Sequence, residues 1–286
     1  METARKMLEN LSAILDQFDL KRAEVVNCHL SLADLKIPIT QSAAAIELLI
    51  KTAGPNRTLI IPSFPFAPFG GGSLNYTEFV GREMRYDVEL TPCYISVFGE
   101  AFRRWPGVKR SLNPLYPVAA YGPLADEIIA DSHLDEWPFA ERTCYGKLVN
   151  YKSVGLGIGL DINTNPFIHL IDRHFLDKLP YAMHSEKPLM GELYRGKKFV
   201  DRRGYYFVPP EFRKKIKPRN LTPLLLDKPF LTAVTSPAPA YCLELQPFVE
   251  FGMKLAERAF AAGCVPPWHQ GRQLSDLVEA GPVSEK

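Results

Sequence analysis

At 286 residues, with 46% hydrophobic and 23% charged side chains, the chain is long enough to bury a core and lies outside the disordered and membrane-spanning ranges. Its formal net charge of +2 offers no global attraction to nucleic acid or to a membrane, so an electrostatic partner has to be met by a local patch. The five cysteines (Cys28, Cys93, Cys144, Cys242 and Cys264) are odd in number and never spaced CxxC, which argues against a disulfide framework and a structural zinc site, and for a reducing, cytoplasmic setting.

Taken in chain order, Met7, Leu8, Leu11, Ile14, Leu15 and Phe18 form a stripe that predicts an amphipathic helix over 3–18, docked by its apolar face. Charges run through that helix, unlike a signal peptide, and no apolar run approaches the roughly 18 residues of a membrane span. A strand at 24–30, a helix at 43–52 with Ser42 as N-cap and a strand at 57–64 follow. Segment 65–94 is rich in Gly, Pro and aromatics without periodicity, and reads as a long functional loop. Then come a helix within 96–107 stopped by Pro106-Gly107, a buried strand at 117–122, a helix at 123–132, and a hairpin-and-strand region at 146–161. A helix at 247–263 closes at Gly263. Helices interleaved with strands predict an α/β sandwich in one domain over 1–268, with 269–286 as a mobile tail.

The stretch NTNPFIHLIDRH (163–174) carries the most chemistry. Asn165 is a good N-cap and Pro166 a good first helical residue, so a helix is expected through His174 with His169 in its first turn. The positive end of a helix disfavours imidazolium, an environment that suits a base, and Asp172 at i+3 shares the face of His169. The alternative is a core histidine packed between Phe167, Ile168 and Leu170. His174 at i+5 points elsewhere, so no two-histidine metal site is expected.

GLGIGLD (155–161) has GxGxG rather than the dinucleotide spacing GxGxxG, and its glycines read as close packing in a buried strand. FGGGS (69–73) lacks the Lys-Ser/Thr of a phosphate loop and reads as a flexible substrate loop. Residues 195–219 hold ten Lys/Arg against Asp201 and Glu211, with Tyr205, Tyr206 and Phe207 among them. That patch reads as a solvated loop, or a surface for a phosphorylated cofactor or an acidic carrier protein, ahead of a nucleic-acid site.

VNCHLSL (26–32), TLIIPSF (58–64), EAFRRWPGVKRSLNPLYPVAAYG (100–122), ERTCYGKL (141–148) and IHLID (168–172) resemble, in order, the successive motifs of the aminoglycoside N-acetyltransferase family of the antibiotic-NAT type. The third block is the most specific, and the resemblance covers roughly residues 20–180 well. It implies that family's own α/β fold, distinct from GNAT, and acyl transfer from acetyl-CoA or another acyl-CoA to a small-molecule amine, with no metal. The family's His-x-x-Glu motif reads His169-Leu170-Ile171-Asp172 here, which implies His169 as general base and Asp172 as its orienter. By the same resemblance His29, Ser31, Arg110, Ser111 and Asn113 lie near the coenzyme. The chain departs from the family pattern at Asn113, Pro117 and Pro166, and in Asp172 for glutamate. A donor held on an acidic acyl carrier protein, other acyl chemistry, or a non-catalytic binding subunit stand as alternatives. An aminoglycoside acceptor calls for an acidic cleft, for which Glu78, Glu83, Asp87 and Glu89, or Asp131, Asp135 and Glu136, are the candidates.

Overall fold

Strand β1 (Val25–Leu30) is β-branched at its start and buried along nearly its whole length, so it has to be covered on both faces. Its alternation sends Val25 into one apolar layer, and Val26, Cys28 and Leu30 into another. In this computed structural model, which describes residues 2–66, 79–80, 84–179, 181–209 and 221–269, β1 is the middle strand of a seven-stranded sheet. It pairs in parallel with β2 (Thr58–Pro62) and, four strands further along the chain, with β6 (Ser153–Ile158). Between them come β3 (Met84–Asp87), β4 (Lys109–Arg110) and β5 (Val118–Tyr121). The outer strands β4, β5, β9 (Leu231–Val234) and β10 (Ala240–Glu244) join antiparallel, in the order β4-β5-β2-β1-β6-β10-β9.

One face is covered by α1 (Glu2–Leu15), α2 (Ser42–Ala53) and α3 (Val97–Arg103), through Leu11, Ile14, Ile46, Leu49, Phe98 and Phe102. Leu11, Ile14 and Leu15 are fully buried, each contributing about 1.5–3 kcal/mol, which is what docks the N-terminal helix. Ser96 caps α3 by accepting the Gly99 N–H at 2.9 Å. The other face meets α6 (Ile168–Arg173), α8 (Leu245–Ala261) and a second sheet of three strands, β3-β7-β8. There β7 (Leu189–Arg195) and β8 (Lys198–Tyr205) form an antiparallel hairpin, and β3 pairs with β7 in parallel. Short helices α4 (Ala125–Ile129), α5 (Cys144–Lys147) and α7 (Thr222–Leu225) lie between these elements. The result is the expected α/β sandwich.

Three expectations shift. Segment 65–94 is not all loop: Met84–Asp87 is a strand, completed by β7 more than a hundred residues away. The expected hairpin in 146–161 is absent, because Cys144–Lys147 and Leu148–Asn150 are helical turns and β6 finds its partners in β1 and β10. The basic stretch begins as the β7–β8 hairpin; residues 210–219 and the FGGGS segment lie outside the described residues.

Candidate active site

The chain leaves β6 over Gly155 and Gly157, whose missing side chains are replaced by the rings of Phe167 and Tyr241 lying against the strand. Asp161 accepts the Asn163 N–H at 2.7 Å and starts a 3-10 turn over Ile162–Thr164. Asn165 then accepts the Phe167 N–H at 2.9 Å through its own side chain. That is the bond expected of Asn165 as a cap, and after the turn it opens regular α6 runs from Ile168, two residues beyond the expected first helical position, Pro166. His169 still falls in the first turn, and its N–H donates to the Pro166 carbonyl at 3.1 Å. Ile171 anchors the opposite side of α6 against Gly252 of α8.

Asp172 is 4% exposed, and three side chains converge on it. The Trp268 indole donates Nε1–H to Oδ1 at 2.8 Å, and His269 Nε2 stands 2.9 Å from the same oxygen. His169 Nδ1 lies 3.5 Å from the other oxygen, Oδ2. Burial alone would push this carboxyl up; the facing His269 and His169 outweigh it and hold Asp172 well below the usual carboxylate range. Asp172 is therefore an anion, and a carboxylate only accepts, so the nitrogens facing it are donors. A proton on His169 Nδ1 puts the basic lone pair on Nε2.

His169 borders a small recess lined with Phe139, Arg173, Met183, His184 and Val208. Phe139 packs on the His169 ring at 5.0 Å. Trp137 stacks on Tyr206 at 4.0 Å, carries the Arg173 guanidinium 5.1 Å from its ring centre, and meets His184 edge-on. Burial, reinforced by Arg173, lowers His184 to a pKa of about 4, so this second histidine is neutral at pH 7. Three of the six histidines thus gather around one carboxylate.

The remaining expected site residues fall in two other places. His29 and Ser31 sit at the carboxyl end of β1, beside Gly159 at the end of parallel β6, where open α/β sheets take their ligands. The His29 Nε2 atom is shielded from solvent without a hydrogen-bond partner, and burial lowers its pKa to about 4. Ser31 Oγ is hydrogen-bonded to Asp34.

Arg110, Ser111 and Asn113 lie at β4 and the turn that follows it. The Arg110 guanidinium, 7% exposed, donates to the carbonyls of Ser63 and Thr91 and lies 5.0 Å from the Tyr86 ring centre. Ser111 Oγ accepts the Val118 N–H at 3.0 Å. Asn113 donates to the Ser132 carbonyl and accepts from the Leu115 and Tyr116 amides, each at 3.0 Å. Ser111 and Asn113 thus brace the turn between β4 and β5, and Arg110 ties its start to the carbonyls of Ser63 and Thr91.

Of the expected acidic residues, Glu78 and Glu83 lie outside the described residues. Asp87 accepts the amides of Glu89, Leu90, Gly196 and Lys197, tying β3 to the β7–β8 turn. Asp135 accepts the Arg142 N–H, while Asp131 and Glu136 are exposed. Among the described residues no cluster of three His, Cys, Asp or Glu has metal-holding geometry, and no helix is long and apolar enough to cross a membrane. His184 and His269 escape a sequence reading; the only hint is the adjacency of two scarce residue types, Trp268 at the end of the expected domain and His269 at the start of the expected tail.

The fold is thus a mixed α/β sandwich in which a buried aspartate faces a histidine beside a small recess. The sequence profile of aminoglycoside 3-N-acetyltransferases matches residues 28–255, and the chain belongs to that family. It is 26% identical over 189 residues to the SPbeta prophage-derived aminoglycoside N(3')-acetyltransferase-like protein YokD of Bacillus subtilis (strain 168), a match spanning 63% of this chain and 66% of that one, just short of two thirds of the relative. The fold is similar to that of aminoglycoside acetyltransferase AAC(3)-IVa as apoenzyme, with TM-score 0.65 and 19% identity over 98% of this chain and 97% of the other. It is also similar to AAC-IIIb in a binary structure with CoASH, with TM-score 0.64 and 18% identity over 87% and 95%.

Proposed function

We propose that the protein is an N-acyltransferase that moves an acetyl group from acetyl-CoA, or another acyl group from its CoA thioester, to an amine of an aminoglycoside, an amino sugar or a related biosynthetic intermediate. Membership of the family supports the reaction class, and the observation that carries the site is His169 held against buried Asp172 beside a small recess. His169 Nε2 takes a proton from the acceptor amine as its nitrogen attacks the thioester carbon. Asp172 stabilises the imidazolium that results. When the C–S bond breaks, His169 returns the proton to the departing thiolate, so that the amide and the free thiol are the products. Arg110, Ser111 and Asn113 are assigned to the coenzyme side by family resemblance, where Ser111 and Asn113 hold the β4–β5 turn and Arg110 ties it to the carbonyls of Ser63 and Thr91.

His29 and Ser31 supply the donor end. A shielded ring nitrogen without a partner at the carboxyl end of β1 fits a hydrogen bond to an amide of a pantetheine arm.

The test is turnover with acetyl-CoA and a panel of aminoglycosides and simpler amino sugars, read by thiol release and by the mass of the product. Acetylated amine with stoichiometric free thiol is expected. Thiol release without an acetylated product would mean hydrolysis and overturn the transfer reading. An acyl donor on an acidic carrier protein is the second reading, favoured by the exposed Lys197, Lys198, Arg202 and Phe199 of the β7–β8 hairpin. Reversing Lys198 and Arg202 to Glu would then slow turnover of the carrier-bound donor and leave that of free acetyl-CoA unchanged.

A further inference from the structure

Past α8 the chain reverses at Gly263 (φ +72°), and Val265 and Trp268, each 2% exposed, fasten the next six residues to the domain. The 3-10 turn Pro267–His269, where the His269 N–H donates to the Pro266 carbonyl at 2.9 Å, presents two ring N–H groups to the same oxygen of Asp172. Held by His169 alone at 3.5 Å, that carboxylate would be free to turn about its Cβ–Cγ bond. Two donors on Oδ1 stop the rotation with Oδ2 directed at His169 Nδ1. Both residues lie beyond residue 255, where the family match ends.

We infer that Trp268 and His269 are positioning residues that lock Asp172, so that His169 carries its proton on Nδ1 and presents Nε2 as the base. The inference rests on the reading of His169 as the base. The C-terminal strap thereby completes the site, although neither of its side chains touches a reacting atom. His269→Gln preserves the arrangement, because the Gln amide nitrogen reaches the place of the imidazole Nε2; His269→Ala removes one donor, and Trp268→Phe removes the other while keeping a ring in the core.

In the full chain, with acetyl-CoA and an accepted aminoglycoside, His269→Ala is expected to lower kcat by about tenfold or more while both KM values stay within about twofold, and His269→Gln to restore most of the loss. In a His169→Ala background, His269→Ala should cost less than about twofold further, because the two act through one path. An equal loss in both backgrounds, or a loss confined to KM, would overturn the positioning role. Nitrogen-15 spectra of the histidine rings need no acceptor: His169 is expected as the Nδ1–H tautomer in the native chain and as a mixture in His269→Ala and Trp268→Phe, and an unchanged tautomer contradicts the inference. If His169→Ala itself leaves turnover intact, the base reading falls and takes the strap with it. If His169→Ala abolishes turnover and His269→Ala changes nothing, the positioning role alone falls.

Discussion

At the scale of single residues, the protein separates buried groups that stay charged from buried groups that stay neutral. Asp172 is kept ionised by its histidines, so its contribution to stability is in full force above the unfolded carboxylate pKa of about 4 and fades as pH falls through the lower folded value. His29 and His184 behave oppositely to a paired histidine, because each is lowered to about 4 in the fold. Between an unfolded pKa of about 6.5 and the folded value near 4, these two rings together hold about two more protons in the unfolded chain than in the folded one. Stability is therefore expected to fall as pH drops across that window, with His184→Gln removing about one proton from the slope; denaturant unfolding measured at a series of pH values checks this. Replacing Asp172 by Asn keeps the shape and removes the charge that faces imidazolium. Its turnover is expected to drop by about 10²-fold or more, with a smaller change in KM, in steady-state kinetics with acetyl-CoA.

At the scale of elements, local chemistry was legible and distant pairing was not. The apolar stripe of α1, the β-branched run of β2 and the glycines of β6 carry their message in neighbouring residues, and the fold uses them in the expected way, whereas Ser42, the expected cap of α2, is its first residue. Strand β3 and the small sheet were hidden in a segment without periodicity, because the register of β3 is set by β7, which lies far along the chain. At Asn165 the residue type signalled a helix start and its oxygen takes the Phe167 amide as a cap does, while regular α6 begins at Ile168, two residues after the expected Pro166. The packing of Phe167 on Gly155 leads to a definite expectation. A Cβ at residue 155 points into that ring, so Gly155→Ala should destabilise the chain by about 1–3 kcal/mol and loosen the α6 start, measured as a lower urea midpoint and a lowered kcat. Gly263→Ala, at φ +72° with open space around it, should be destabilising through backbone strain alone, and by less.

At the scale of the whole molecule, the sheet brings together pieces that the sequence scatters. Parallel strands β1 and β6 present their carboxyl ends side by side, with His29 and Ser31 on one and the segment leading to His169 on the other. The His169–Asp172 pair was legible because its members are three residues apart on one helix. His269, ninety-seven residues from Asp172, was assigned to the tail and lies buried against that carboxylate. Residues around 110–113, which resemblance places near the coenzyme, have their side chains hydrogen-bonded to the main chain, contacts that no sequence pattern announced. The most direct measurement is calorimetric titration of acetyl-CoA into the native chain and into His169→Ala, paired with turnover of the same samples. Binding equal within about twofold, with turnover reduced by about 10²-fold or more, is the expected result for a base that acts in chemistry and leaves the donor site intact. Equal turnover in the two proteins would contradict the role given to His169.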